Sequence, residues 1–141
     1  MKNLKYFMQF SLTIFCFLIF KILGPNLSSK LSGKIFEFIG PFFRSRQLIH
    51  SNIKRGVPDI SSENLKNITR LMWNNYGRLF AEYMFIKNFR HGKLENKIQI
   101  EGQEILDEIK RSEKKVIFIS GHFSNFELMA MYLEKTGIKL S

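Results

Sequence analysis

Tyr6 to Phe20 reads YFMQFSLTIFCFLIF, with no charge between Lys5 and Lys21. Ile22 and Leu23 extend the run as far as Gly24-Pro25. No other stretch constrains the chain so tightly. About eighteen residues at helical rise give ~27 Å, just short of the ~30 Å hydrocarbon core of a bilayer. Lys21 can snorkel its ammonium group to the interface. A cleaved signal peptide would need a small-residue cleavage site, and NLSSK is a poor one. A buried core helix would show a broader polar face than Gln9, Ser11 and Thr13 provide. The expectation is a signal anchor or deeply seated helix over residues 1–26. Lys21, Lys30, Lys34, Arg44 and Arg46 follow the run, while only Lys2 and Lys5 precede it. The positive-inside rule then puts the body of the chain on the cytoplasmic side.

The charge balance points the same way. The chain has 22 Lys and Arg against 12 Asp and Glu, a net charge of +10, which favours an anionic partner. Acidic lipid head groups, phosphorylated substrates and an acidic carrier protein all qualify. Zinc-finger spacing, basic-region heptads and an aromatic-interleaved RNP pattern are missing, so nucleic acid is not the expected partner. The one cysteine, Cys16, lies in the apolar run, and no Cys/His cluster suggests a metal or other cofactor.

Residues 27–92 read as helical. Leu27, Leu31, Ile35, Phe38 and Phe42 recur at three- and four-residue steps until Gly40-Pro41 breaks the pattern. Two roles fit them equally: a core helix, or a helix resting on anionic lipid. RSRQLIHSNIKRG (44–56) reads as a short basic helix that Gly56 and Pro58 terminate. Ser61-Ser62-Glu63 opens a long helix whose apolar positions Leu65, Ile68, Met72, Tyr76, Leu79 and Tyr83 predict a buried stripe. Arg78 and Glu82, four apart on it, are placed to pair. Asn88 to Gly92 reads as an exit loop.

From residue 93 the period changes. KIQIEG alternates like a strand, residues 102–112 form a short helix, and KKVIFIS is a continuous apolar run typical of a covered strand. Residues 128–133 make another helix capped by Gly137, and IKLS opens a third strand. The predicted fold class is therefore α/β: a membrane helix and amphipathic helices leading into the first strands of an open sheet over residues 93–141.

GHFSNFE, residues 121–127, sits where such sheets bind ligands, beyond the carboxyl end of a strand. Gly121 permits a tight exit, and His122 follows it. His122 and Glu127 would point ~140° apart on a continuous helix. They converge only if His122 lies in the turn and Glu127 in the first helical turn. That arrangement suits general-base catalysis: a neutral imidazole takes the proton of a hydroxyl attacking an acyl carbon, and the carboxylate steadies the imidazolium. Backbone N–H groups at the helix start could receive the oxyanion. A plainer reading competes. Ser124-x-x-Glu127 is also a capping box, and Asn125 could itself be the cap.

The string SGHFSNFELMAM resembles the H-x4-D/E acyltransferase motif, and more narrowly the late acyltransferases of lipid A biosynthesis, the lauroyl/myristoyl transferase family. That family shows a GHxxNWE-type block after a strand and an N-terminal membrane anchor. The resemblance runs over nearly the whole chain, with Asn52, Glu82 and its neighbour Arg78 in supporting places. It implies transfer of a fatty acyl chain from acyl carrier protein to a hydroxyl of an anionic lipid A precursor at the inner membrane's cytoplasmic face. His122 would be the base, Glu127 its partner, and Gly121, Ser124 and Asn125 would shape the motif. Phe126 departs from the family, which usually has Trp there. Family members also continue beyond a point equivalent to Ser141, so the chain is expected to be an N-terminal portion, inactive alone. The alternatives are a phospholipid or glycolipid acyltransferase, and a non-catalytic basic module at a membrane surface.

Overall fold

The computed structural model describes residues 2–112 and 114–138. They fall into two compact units, divided between Met84 and Phe85.

The first unit is a helical assembly built on a bent helix. Helix α1 (Lys2–Ile39) is interrupted at Gly24, whose φ of 75° and ψ of 171° are not helical. Pro25 explains the break, because it has no N–H to donate to the preceding turn and its ring crowds the carbonyl four residues back. Gly24 takes up the bend in a region that a side chain would penalise. Across the bend the Ser28 hydroxyl donates to the Phe20 carbonyl at 2.9 Å. The part before the bend is exposed on nearly all sides, and α1 is long and apolar enough to cross a membrane.

After the bend, α1 packs along α3 (Ser62–Glu82). Ser61 caps α3, its hydroxyl accepting from the Asn64 N–H at 3.2 Å. The buried face of α1 is made of small residues, Ser28, Ser29, Ser32 and Gly33, not of its leucines. They let the backbones approach closely: a Cβ on Gly77 of α3 would lie 2.3 Å from the Ser32 carbonyl oxygen. Leu27, Leu31, Ile35, Phe38 and Phe42 face outward, so they are not the packed face of α1. Phe80 of α3 sits at the bend, with ring centroids 5.6 Å from Phe17, 5.9 Å from Phe20 and 5.7 Å from Phe36.

The stripe expected on α3 is also rotated. Leu65, Trp73, Gly77 and Ala81 are buried, whereas Ile68, Tyr76 and Tyr83 are exposed. The stripe follows residue size, but the close approach to α1 selects Gly77 and Ala81. Helix α2 (Arg46–Gly56) matches the expected basic helix and buries Ile49. A 3-10 turn at Gly40–Phe42 joins α1 towards it.

In the second unit, α4 (Ile86–His91) replaces the loop expected at 88–92. It packs with α6 (Glu127–Lys135), where Arg90 pairs with Glu134 at 3.1 Å. Lys135 also pairs with Glu95. Helix α5 (Gln103–Ser112) lies between them in sequence, and its Gln103 side-chain carbonyl accepts from the Tyr132 hydroxyl at 2.6 Å. Leu94, Met131 and Leu133 are buried.

The expected open α/β sheet does not form: among the described residues there is no strand. KIQI and VIFIS lie where strands were expected but pair with nothing as a ladder. The reason is non-locality. A helix closes its hydrogen bonds within itself, whereas a strand needs a neighbour. Two-residue alternation nevertheless survives in VIFIS, where Ile117 and Ile119 are 90% and 93% exposed and Phe118 between them is half-buried. Of the third expected strand, only Ile138 lies within the described residues.

Candidate active site

The segment from Ser120 to Phe126 is an irregular loop that enters α6 at Glu127. A Cβ at Gly121 would lie 2.3 Å from the ring of Phe123, an exposed side chain that can move aside. Ser124 adopts a φ of 45°, which is uncommon for a residue with a side chain and costs ~1–3 kcal/mol. Such strain concentrates where a loop must hold a particular shape.

The loop holds His122 exposed to solvent, its ring packed on Phe126 with centroids 4.0 Å apart. Glu127 is the first residue of α6 and half-buried. His122 therefore lies in the turn and Glu127 in the first helical turn. The residue at the N-cap is Phe126, not Ser124 or Asn125, and its side chain makes no cap hydrogen bond. Instead the backbone closes the turn: the Leu128 N–H donates to the Asn125 carbonyl at 3.1 Å and the Met129 N–H to the Phe126 carbonyl at 3.2 Å. Asn125 is half-buried beneath the loop, and Ser124 is exposed.

An apolar groove of about 710 Å³ opens between residues on the two chain sides of this loop. Val116 and Phe118 approach from before it, Leu128 and Tyr132 from after it, with Ile105 and Ile109 of α5 as the floor. The volume lies in the ~300–1,000 Å³ range of small-molecule sites. Among the described residues, no three His, Cys, Asp or Glu side chains converge to hold a metal.

Arg78 and Glu82 belong to the first unit and are linked through a residue that sequence spacing did not suggest. The Arg78 Nε donates to Asn74 Oδ1 at 2.7 Å and its Nη1 to the Ser29 hydroxyl at 3.4 Å. Ser29 in turn donates to Glu82 Oε1 at 3.1 Å. Asn74 continues the chain to Glu37 at 2.6 Å, where Arg70 and Lys34 also donate at 3.2 Å. This polar seam between α1 and α3 joins residues up to 53 apart, beyond the reach of any local pattern. Asn52 lines a cavity beside it with Phe36, Met72 and Phe80.

A family model described as bacterial lipid A biosynthesis acyltransferase matches residues 1–141. No curated protein and no solved structure matches the chain.

Proposed function

Because the chain belongs to the bacterial lipid A biosynthesis acyltransferase family, we propose that it carries the histidine and glutamate of an acyl transfer from acyl carrier protein to a hydroxyl of a lipid A precursor. His122 is the general base. Its neutral imidazole accepts the acceptor's hydroxyl proton as that oxygen bonds to the acyl carbon. The tetrahedral intermediate then expels the donor's leaving group, which takes the proton back from the imidazolium. Glu127 stabilises the positive ring electrostatically. Ser124 and Asn125 set the loop's shape, and the groove bounded by Phe118, Leu128 and Tyr132 receives part of the acyl chain. Charge and the N-terminal helix are consistent with work at the cytoplasmic face of the inner membrane.

The observation that carries this reading is the family match across the very loop that places His122 in a turn and Glu127 at a helix start. The test is a mass-spectrometric assay of a complete version of the protein with acylated carrier protein and a lipid A precursor. His122→Ala is expected to remove product by at least 10²-fold with the helix signal unchanged. Turnover retained in that variant would exclude His122 as the base. A product formed only on phospholipid acceptors would replace the lipid A assignment.

A further inference from the structure

We propose that the corner where α1, α2 and α3 meet binds one anionic lipid, with its phosphate among Arg44, Arg46, Lys66 and Arg70 and its acyl tail in the apolar cavity alongside. Two cavities share a wall here. The first, about 240 Å³, is lined by those four cations, His50 and a single carboxylate, Glu37. The second, about 660 Å³, is walled by Phe36, Ile53, Met72 and Phe80. Arg44, Ile49 and Trp73 line both.

Three features fit an anion in the first cavity. Glu37 is already committed to Lys34, Arg70 and Asn74, whereas Arg44, Arg46 and Lys66 pair with no carboxylate among the described residues. Helix α2 begins at this cavity with Arg46, has no acidic residue in its first turn, and its N-cap Ser45 makes no side-chain cap bond. Cations at a helix N-terminus oppose its dipole, and an anion bound there reverses that penalty. The third feature is independent of charge. Trp73 is 8% exposed, and its indole N–H has no acceptor among the described residues. A buried donor left unmet costs ~1–3 kcal/mol, and because Nε1 itself is out of reach of solvent, a ligand oxygen recovers that cost only by opening the wall at Trp73.

The tail assignment follows from the second cavity and from its setting. Phe38, Phe42 and Phe43 stand exposed around the corner, at the end of a helix long and apolar enough to cross a membrane. Aromatic rings beside cations are the composition of the bilayer interface. The ligand class is a phosphate-bearing amphiphile, and a free phosphate ester would use only the first cavity.

Trp73 is the only tryptophan, so fluorescence reads this wall directly. The full chain is placed in phosphatidylcholine nanodiscs doped with a few mole per cent of dibromo-tailed phosphatidic acid, or with the same fraction of dibromo-tailed phosphatidylcholine. Phosphatidic acid is expected to quench Trp73 at least threefold more strongly. The double charge reversal Arg44→Glu, Arg46→Glu is expected to erase the difference with helix content unchanged by circular dichroism. Lys66→Gln, at an exposed position, is expected to reduce it and serves if the double variant does not fold. Equal quenching by the two lipids overturns the proposal, as does a preference that survives both sets of variants. An emission change with inorganic phosphate, without any lipid preference, also overturns it and leaves a free phosphate ester as the ligand.

Discussion

The Ser28 hydroxyl, completely buried, reaches back to the Phe20 carbonyl at 2.9 Å across the Gly24-Pro25 bend. Phe20 and Ser28 are both buried, so water does not readily replace a hydrogen bond lost between them. Ser28→Ala should therefore cost ~1–3 kcal/mol, the usual penalty of an orphaned buried acceptor. Unfolding in detergent, followed by helix signal, measures it. A variant as stable as the parent would mean that the carbonyl is satisfied some other way.

Close approach of α1 and α3 makes a second prediction at Gly77. A methyl group there meets the Ser32 carbonyl oxygen at 2.3 Å, and that atom is backbone, so the helices must separate. Gly77→Ala should destabilise the first unit by ~1–3 kcal/mol despite the better helix propensity of alanine. Separation also loosens the Ser29–Glu82 hydrogen bond further along the same face. The measurement is a denaturation midpoint, with the exposed Gly56, where a Cβ meets nothing, as the control that should change little.

These two sites show where the sequence could be read and where it could not. The apolar run, the α3 start at Ser61 and the basic helix α2 are written in contiguous residues, and all form. The order His122-in-turn, Glu127-in-helix was also legible, because glycine before the histidine and an apolar pattern after the glutamate are local signals. Burial was not. Size and period nominated Ile68, Tyr76 and Tyr83, yet the interface chose Gly77 and Ala81, because two helices in contact over small residues bury those instead. The strands failed for a related reason. VIFIS has strand composition and alternating exposure, but a ladder belongs to two segments, and neither composition nor alternation supplies the second. Ser29, which links Arg78 to Glu82, lies on another helix and left no signal in the spacing of that pair.

Acid should loosen the second unit through Glu95. The hydrogen bond and charge of Lys135, with a smaller contribution from His91, hold its carboxyl below its ordinary 4.5, against a small opposing effect of burial. A depressed folded value means that the contribution is complete above about 4.5 and disappears as pH falls through the lower folded value. The pair is exposed, so the effect on global stability is small and weakens further with salt. Hydrogen exchange across α6, measured from pH 6 to pH 3 after correction for intrinsic rates, should show protection lost at the acid end. Lys135→Met should flatten that dependence, and an unchanged acid profile in the variant would remove Glu95 as its source.

Phe126 gives the last prediction, because its ring is the surface on which the His122 imidazole rests at 4.0 Å. An exposed histidine in a loop has several rotamers, and a packed ring narrows them. Phe126→Ala takes that support away without touching the base itself. In the acyl-transfer assay kcat should fall ~10- to 100-fold, since a displacement of about 1 Å in a reacting group is enough for such a loss. KM should stay within about threefold, because the acceptor's own contacts are retained under the assignment of His122 as base. Phe126→Trp keeps a flat aromatic face and should retain most of the activity. If Phe126→Ala instead raises KM with kcat intact, the ring contacts substrate and is not a support for the histidine. A pH profile separates the two further. A positioning role leaves the profile's shape unchanged while its height drops, whereas altered electrostatics at His122 would move its acidic limb.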